Sequence, residues 1–171
     1  EKRHLVSDLN TTDDIAEGSI KEITSMFSIE GEREVVTVSA IHSSEDKWAP
    51  FFGYFKIYEK TAETPELPEP ENYVAYFVNC GGTELPEGES YGKYSQGAVD
   101  QPYDAEGEAE YHWGYDSRYE YETDTYEGQS IRLIKDADGE PLSYYFELPK
   151  GEYQLEMGLP HCYQWGNRVM N

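Results

Sequence analysis

The residues of this chain with the clearest chemical character lie between positions 101 and 128. That stretch holds six tyrosines and Trp113 together with nine carboxylates, against one basic residue, Arg118. An apolar core cannot hold carboxylates without partners, because an isolated buried charge is strongly destabilising. We therefore expect the stretch to lie at the surface. A flat ring can stack on the C–H face of a sugar while carboxylates bind its hydroxyls, so this mixture indicates carbohydrate recognition.

Several aromatic residues stand next to Gly, Pro or polar neighbours, as loop residues do. The alternative for each is a place in the core or in a cross-strand pair, which is what we expect for Tyr144 and Tyr145. The aromatic binding candidates are Tyr94, Tyr103, Trp113, Tyr115, Tyr163 and Trp165.

Catalysis has little support in the sequence. Glycoside hydrolysis needs two carboxylates about 5–9 Å apart, one of them in an apolar setting that raises its pKa. The chain has 35 acids, but they stand beside other acids in polar segments. No Gly-x-Ser-x-Gly motif is present, and neither Cys80 nor Cys162 has a catalytic context. We expect no enzymatic activity, and a small glycosidase is the weaker alternative.

Metal sites are equally weakly indicated. The four histidines and two cysteines form no His-x-x-x-His or Cys-x-x-Cys pair, so zinc is not expected. Residues 136–140 resemble the start of a calcium loop, but the distal glutamate is wrongly spaced and a hairpin turn explains them better. No cofactor is required. A structural calcium held by acids of separate loops is the remaining alternative.

The composition limits the class of partner. A chain of 171 residues fits one domain, and its formal net charge of -22 would repel nucleic acids and anionic membranes. No apolar run approaches the ~20 residues of a membrane-spanning helix. Such acidity is typical of proteins that stay soluble outside a cell, so we expect an extracellular or cell-surface location. Cys80 and Cys162 are expected to be buried free thiols.

The hydrophobic pattern predicts an all-β fold. Short apolar or alternating runs are separated by turn residues, including 30–32 and 149–151, and 136–140 is expected to close a hairpin. Residues 60–72 contain three prolines and read as an extended connector. We predict an antiparallel β-sandwich. The predicted strands are residues 20–29, 35–41, 51–58, 73–80, 131–135, 142–148 and 152–159.

Four pieces of sequence in a particular order carry a family resemblance: 76–82, Tyr94 with 100–103, 113–115 and 142–153. They resemble the first half of malectin-like modules, which are galactose-binding-like, jelly-roll β-sandwiches attached to bacterial glycoside hydrolases. Residues 5–9, 23–29, 35–41 and 46–50, the last leading into 53–58, resemble the second half of the same module. The resemblance implies one module over 1–171 in permuted order: 1–59, the connector 60–72, and 73–171. The alternative is a fragment that spans two tandem modules.

The resemblance also implies a function. It suggests a non-catalytic carbohydrate-binding module whose partners are a polysaccharide or oligosaccharide and the parent enzyme domains of the same polypeptide. Tyr94 and Tyr103 correspond to early aromatic loop positions, Trp113 and Tyr115 to the next loop, and Asp46 to a late acid. The alternative is a structural or interaction β-sandwich that binds no glycan. The expected carbohydrate-binding residues are Tyr94, Tyr103, Trp113, Tyr115, Asp46 and Trp165.

Overall fold

The protein is all-β, as a computed structural model shows for residues 7–9, 20–42, 51–60, 73–118, 121–126, 129–134, 141–160 and 168–170. These residues contain ten strands, all paired antiparallel, which confirms the predicted fold class. No helix that could span a membrane occurs among them. The strands are β1 (Ser7–Leu9), β2 (Ile20–His42), β3 (Phe51–Phe52), β4 (Tyr54–Lys60), β5 (Val74–Asn79), β6 (Trp113–Tyr115), β7 (Tyr121–Tyr126), β8 (Gln129–Ile134), β9 (Leu142–Pro160) and β10 (Arg168–Met170).

The strands form two sheets. The larger has the order β1-β10-β2-β9-β4-β5, with β6 also paired to β9, and the smaller has the order β3-β8-β7. Strand β9 is the centre of the larger sheet, because β2 follows one of its sides while β4 and β6 pair with successive parts of the other. Phe52 of the small sheet packs against Phe55 and Tyr144 of the large one, so a common core lies between them.

Two of the predicted turns are not turns. Residues 30–32 lie inside β2 and residues 149–151 lie inside β9. The two segments face each other, and the register of the pair shifts there, between Ile29 and Arg33 of β2. On β9 the buried positions are even-numbered from 144 to 148, before the shift, and odd-numbered from 153 to 157, after it. The extra residues form a β-bulge, which exchanges the side-chain positions that face the core. The turn residues therefore mark a bulge shared by two long strands.

Two other expectations were also wrong. Residues 51–58 are not one strand, because Gly53 separates β3 of the small sheet from β4 of the large one. The strands on either side of 136–140 are not a hairpin pair, since β8 pairs with β7 whereas β9 belongs to the other sheet. These errors share a cause. Strand pairing depends on residues distant in sequence, which local turn signals do not report.

The two sequence segments that resemble halves of one module contribute to the same sheet. Strands β2 and β4 come from the first segment and flank β9 of the second, and their side chains share one core. Cys80 is a buried free thiol, as expected, whereas Cys162 and residues 61–72 lie outside the described residues. The permuted order itself stays a prediction.

Candidate functional site

Trp113 and Tyr94 are core residues. Their exposed fractions are 1% and 6%. Pairing of β6 with β9 places Trp113 opposite Phe146, with the two rings stacked at a centroid distance of 6.5 Å. The indole Nε1 donates to the carbonyl of Ser95 at 3.3 Å. Because both rings are buried, neither can stack on a ligand. The prediction that they do so is wrong.

Tyr103 and Tyr115 do not form one platform. The Tyr115 ring contacts Tyr144, and the guanidinium carbon of Arg132 lies 3.7 Å from its centroid, on the side that faces the small sheet. The Tyr103 ring instead contacts Tyr145, with centroids 4.9 Å apart. Tyr144 and Tyr145 are consecutive on β9, and consecutive residues of a strand face opposite sides of the sheet. Tyr103 and Tyr115 therefore lie on opposite faces. Asp46, Tyr163 and Trp165 lie outside the described residues.

The outer face of β9 carries a different group of residues, which we call the outer tyrosine face. Its centre is the half-buried ring pair Tyr103–Tyr145. One end holds an aspartate–arginine pair and the other a glutamate–arginine pair. The members of the outer tyrosine face are Tyr103, Tyr145, Asp116, Arg118, Glu147 and Arg33.

Gly114 allows Tyr103 to reach this face. It is paired with Tyr145 and has a φ of 144°, a conformation that L side chains rarely adopt. A Cβ atom at this position would lie 2.5 Å from the carbonyl oxygen of Gln101. The segment 101–103 crosses directly over the glycine, and the Tyr103 amide donates to the Tyr115 carbonyl at 2.8 Å. The missing side chain is therefore what lets the Tyr103 ring rest on Tyr145.

The Asp116–Arg118 pair fixes one end of the face. The Asp116 side chain is 5% exposed and accepts from Arg118 Nε at 2.9 Å and from Tyr145 Oη at 3.0 Å. The Arg118 hydrogen bonds lower the pKa of Asp116, while burial and the bond to Asp116 raise the pKa of Tyr145. The Arg118 side chain itself is 69% exposed. A guanidinium held by a buried carboxylate is thus presented to solvent in a defined orientation.

Glu147 and Arg33 fix the other end. Glu147 Oε2 accepts from the His112 amide at 2.9 Å, and Glu147 Oε1 lies 3.8 Å from Arg33 Nη1. Burial, and after it the charge of Glu147, raises the pKa of Tyr103, so this phenol stays protonated at neutral pH. The face therefore combines a ring, hydroxyl donors, carboxylate acceptors and guanidinium donors.

Most members of this face were not among the residues predicted from the sequence. Alternation along residues 142–148 could have identified Tyr145 and Glu147, because these odd positions lie between fully buried even ones. Arg33 and Asp116 could not be found in this way. Their places on this face depend on contacts over long sequence separations, of Arg33 with Glu147 and of Asp116 with Tyr145, which follow from the pairing of β2 and of the residues after β6 with β9.

A second polar cluster lies inside the molecule, around Asp100. Its side chain is 2% exposed, and Oδ2 accepts from Arg132 Nε at 2.8 Å and from the Gly81 amide at 2.6 Å. Tyr144 Oη is 3.2 Å from both carboxylate oxygens. Burial raises the pKa of Asp100, and the charge of Arg132 opposes that shift. The carboxylate is fully engaged in linking the two sheets.

The described residues include no group of three or more His, Cys, Asp or Glu that could hold a metal ion.

No protein family, curated protein or solved structure matches this chain. The resemblance to malectin-like modules therefore depends on the sequence segments alone.

Proposed function

We propose that this chain is a non-catalytic carbohydrate-binding module that binds glycan at the outer tyrosine face. The observation that carries the proposal is the Tyr103 ring, half-buried on Tyr145 between two arginine–carboxylate pairs. The Tyr103 ring stacks on one sugar unit. Arg118 and Glu147 bind hydroxyl groups at its two sides.

The physical basis is stacking of a sugar on the Tyr103 ring, beside side chains that are already held in place. A ring on the C–H face of a sugar buries apolar area, and the donors and acceptors beside it replace water around the hydroxyls. Because Tyr145, Asp116 and Gly114 already hold the binding groups in place, little conformational entropy is lost on binding. Each hydrogen bond contributes modestly, since the sugar gives up bonds to water, so the affinity should be moderate.

The same features favour binding over catalysis. Asp100 has the raised pKa that a general acid needs, but Arg132, Tyr144 and the Gly81 amide surround it inside the molecule. Asp116 has a lowered pKa and is paired with Arg118.

In this proposal the module is extracellular and holds parent enzyme domains of the same polypeptide near a polysaccharide. The malectin-like order of the sequence supports that assignment.

An interaction module is the second candidate, and strand β2 favours it. Among the described residues, the part of β2 from 20 to 39 pairs with β9 on one side only. Three large apolar side chains of this part are exposed: Ile20, Met26 and Val35. An unpaired strand edge is a surface to which another chain can add a strand.

The deciding experiment is electrophoresis through gels that contain polysaccharides. We expect the wild type to be retarded in at least one gel, and Tyr103→Ala to lose about tenfold in affinity, which is ~1.4 kcal/mol. Tyr91→Ala is the matched control, because Tyr91 is 47% exposed but is no member of the face. Unchanged retardation of Tyr103→Ala would reject the assignment. A wild type that binds no glycan, on gels or on an array with and without calcium, would favour the interaction module.

A further inference from the structure

A pocket of about 270 Å³ opens beside the outer tyrosine face. Arg33 forms the boundary between the two: its guanidinium carbon lies 4.3 Å from the Tyr111 ring centroid, its Nη1 donates to the Glu110 carbonyl at 2.8 Å, and it pairs with Glu147 of the face. The pocket is lined by Lys93, Tyr94, Gln96, Glu110 and Tyr111.

We propose that this pocket is a second carbohydrate subsite, which takes one neutral hexose unit next to the unit that stacks on Tyr103. The inference rests on the proposed function and adds to it a site, a ligand class and a dependence on chain length. Pockets for drug-sized ligands start at about 300 Å³, so this volume suits a single sugar ring rather than a chain.

The backbone of Gln96 is the first observation. Its φ of 56° is in the left-handed region, which is strained for a residue with a side chain. Gly97 follows with a φ of 76°, and the Ala98 amide donates to the Ser95 carbonyl at 3.1 Å, so the four residues form a tight turn. Glycine or asparagine would suit the position of Gln96 better. A strained residue that lines a pocket is typical of a functional site.

The chemistry of the lining is the second observation. The Tyr111 ring already contacts the Tyr94 ring, at a centroid distance of 4.2 Å, and the Arg33 guanidinium. Stacking on these rings is therefore disfavoured, and recognition must come from hydrogen bonds. Lys93 supplies donors beside its ion pair with Glu59, in which Nζ and Oε2 are 3.5 Å apart. Glu110 supplies carboxylate acceptors, and Gln96 supplies its amide oxygen, since its Nε2 already donates to the Tyr111 carbonyl at 3.3 Å. Sugar hydroxyls also donate and accept. Because Glu59 balances the charge of Lys93 and Glu110 adds a carboxylate, the lining favours an uncharged ligand over an anion.

The core holds the pocket turn in place, which is the third observation. Trp113 Nε1 donates to the Ser95 carbonyl, and the buried Ser95 hydroxyl donates to the Gly92 carbonyl at 2.7 Å. The Tyr94 amide donates to the Ala75 carbonyl of β5 at 2.9 Å. Because these bonds fix the turn before any ligand arrives, the entropy lost on binding is small.

The test measures how affinity depends on glycan length, by calorimetry on the full chain. The probes are galactose, glucose and their oligosaccharides of two to six units. We expect the wild-type affinity to rise about tenfold or more beyond one unit, as the second subsite fills. Gln96→Gly and Glu110→Gln should each lose most of this rise, which is about fivefold in affinity for the longer glycans. Adding Tyr103→Ala to either variant should lower the affinity by the same factor as it does in the wild type.

Two controls separate this inference from the proposed function. Glu108→Gln removes an exposed acid that does not line the pocket and should keep the length dependence. Gln96→Gly should also raise the melting temperature by about 2 °C, because the strain is relieved, so its weaker binding cannot be ascribed to unfolding. A full length dependence in both pocket variants, or none in the wild type, overturns the second subsite. Failure of every hexose probe overturns the neutral-hexose assignment. Loss of polysaccharide retention by Tyr103→Ala would still support the proposed function in either case.

Discussion

Individual aromatic residues of this protein have different functions according to the strand face that carries them. Trp113 and Tyr103 lie ten positions apart in the same acidic, tyrosine-rich stretch. Trp113 lies on the inner face of β6, against Phe146, whereas Tyr103 lies on the outer face, against Tyr145. The Trp113 ring is thus a structural support for the Ser95 turn, and the Tyr103 ring is the proposed ligand contact.

The first prediction concerns Trp113. Trp113→Ala should lower the free energy of unfolding by about 3–5 kcal/mol, because it leaves a large cavity beside Phe146 and removes the bond to Ser95. Trp113→Phe should lose less, since a ring still fills part of the site. Urea denaturation measures both. A cost below about 1 kcal/mol for the alanine variant would contradict the core position, since cavities of this size cost more.

At the scale of elements, the short strand β6 determines how the outer face is built. It pairs Trp113, Gly114 and Tyr115 with Phe146, Tyr145 and Tyr144, and so directs the two aromatic residues inward. The glycine between them faces outward and leaves room for the segment 101–103. One three-residue strand thereby supports the core on one side and the proposed binding ring on the other.

Gly114→Ala tests this arrangement. The new Cβ would overlap the backbone of 101–103 at a φ that favours glycine, so we expect a loss of ~3 kcal/mol or more in the free energy of unfolding and weaker glycan retention. Gly88→Ala is the matched control, because Gly88 also has a positive φ, 86°, but has nothing within 4 Å of its Cβ position. It should lose only about 1–2 kcal/mol and keep its binding. Equal losses would show that the overlap is unimportant.

At the scale of the whole molecule, the fold class could be predicted from the sequence, but the arrangement of strands could not. Alternation in residues such as 35–41 and 152–159 needs only a half-buried strand, and both segments are strands. The assignment of β8 and β9 to different sheets depends on contacts such as Arg132 with Asp100, which join distant parts of the chain. The same dependence on distant strands explains why Trp113, which was predicted to contact a ligand, lies in the core against Phe146.

The Asp100–Arg132 pair gives the last prediction, because it links a loop beside β5 to β8 of the small sheet. Arg132→Met would leave Asp100 buried without its counter-ion, which typically costs about 3–5 kcal/mol at neutral pH. Burial already raises the pKa of Asp100, and loss of the arginine removes the main opposing charge. A carboxyl group with a raised pKa in the folded state binds protons more tightly there than in the unfolded state, so the cost should shrink as the pH falls through that pKa.

The double variant Asp100→Asn/Arg132→Met isolates the charge. Asparagine keeps an oxygen for the Gly81 amide and has no charge to bury, so the double variant should be more stable than Arg132→Met at pH 7. Arg132→Met should become more stable relative to the wild type as the pH falls, and the double variant should not. Urea denaturation of the three proteins between about pH 5 and 8 measures both effects, in the range where folded proteins are usually most stable. If the cost of Arg132→Met were independent of pH, Asp100 would have to be solvated in the variant, and the ion pair would not be what holds the two sheets together.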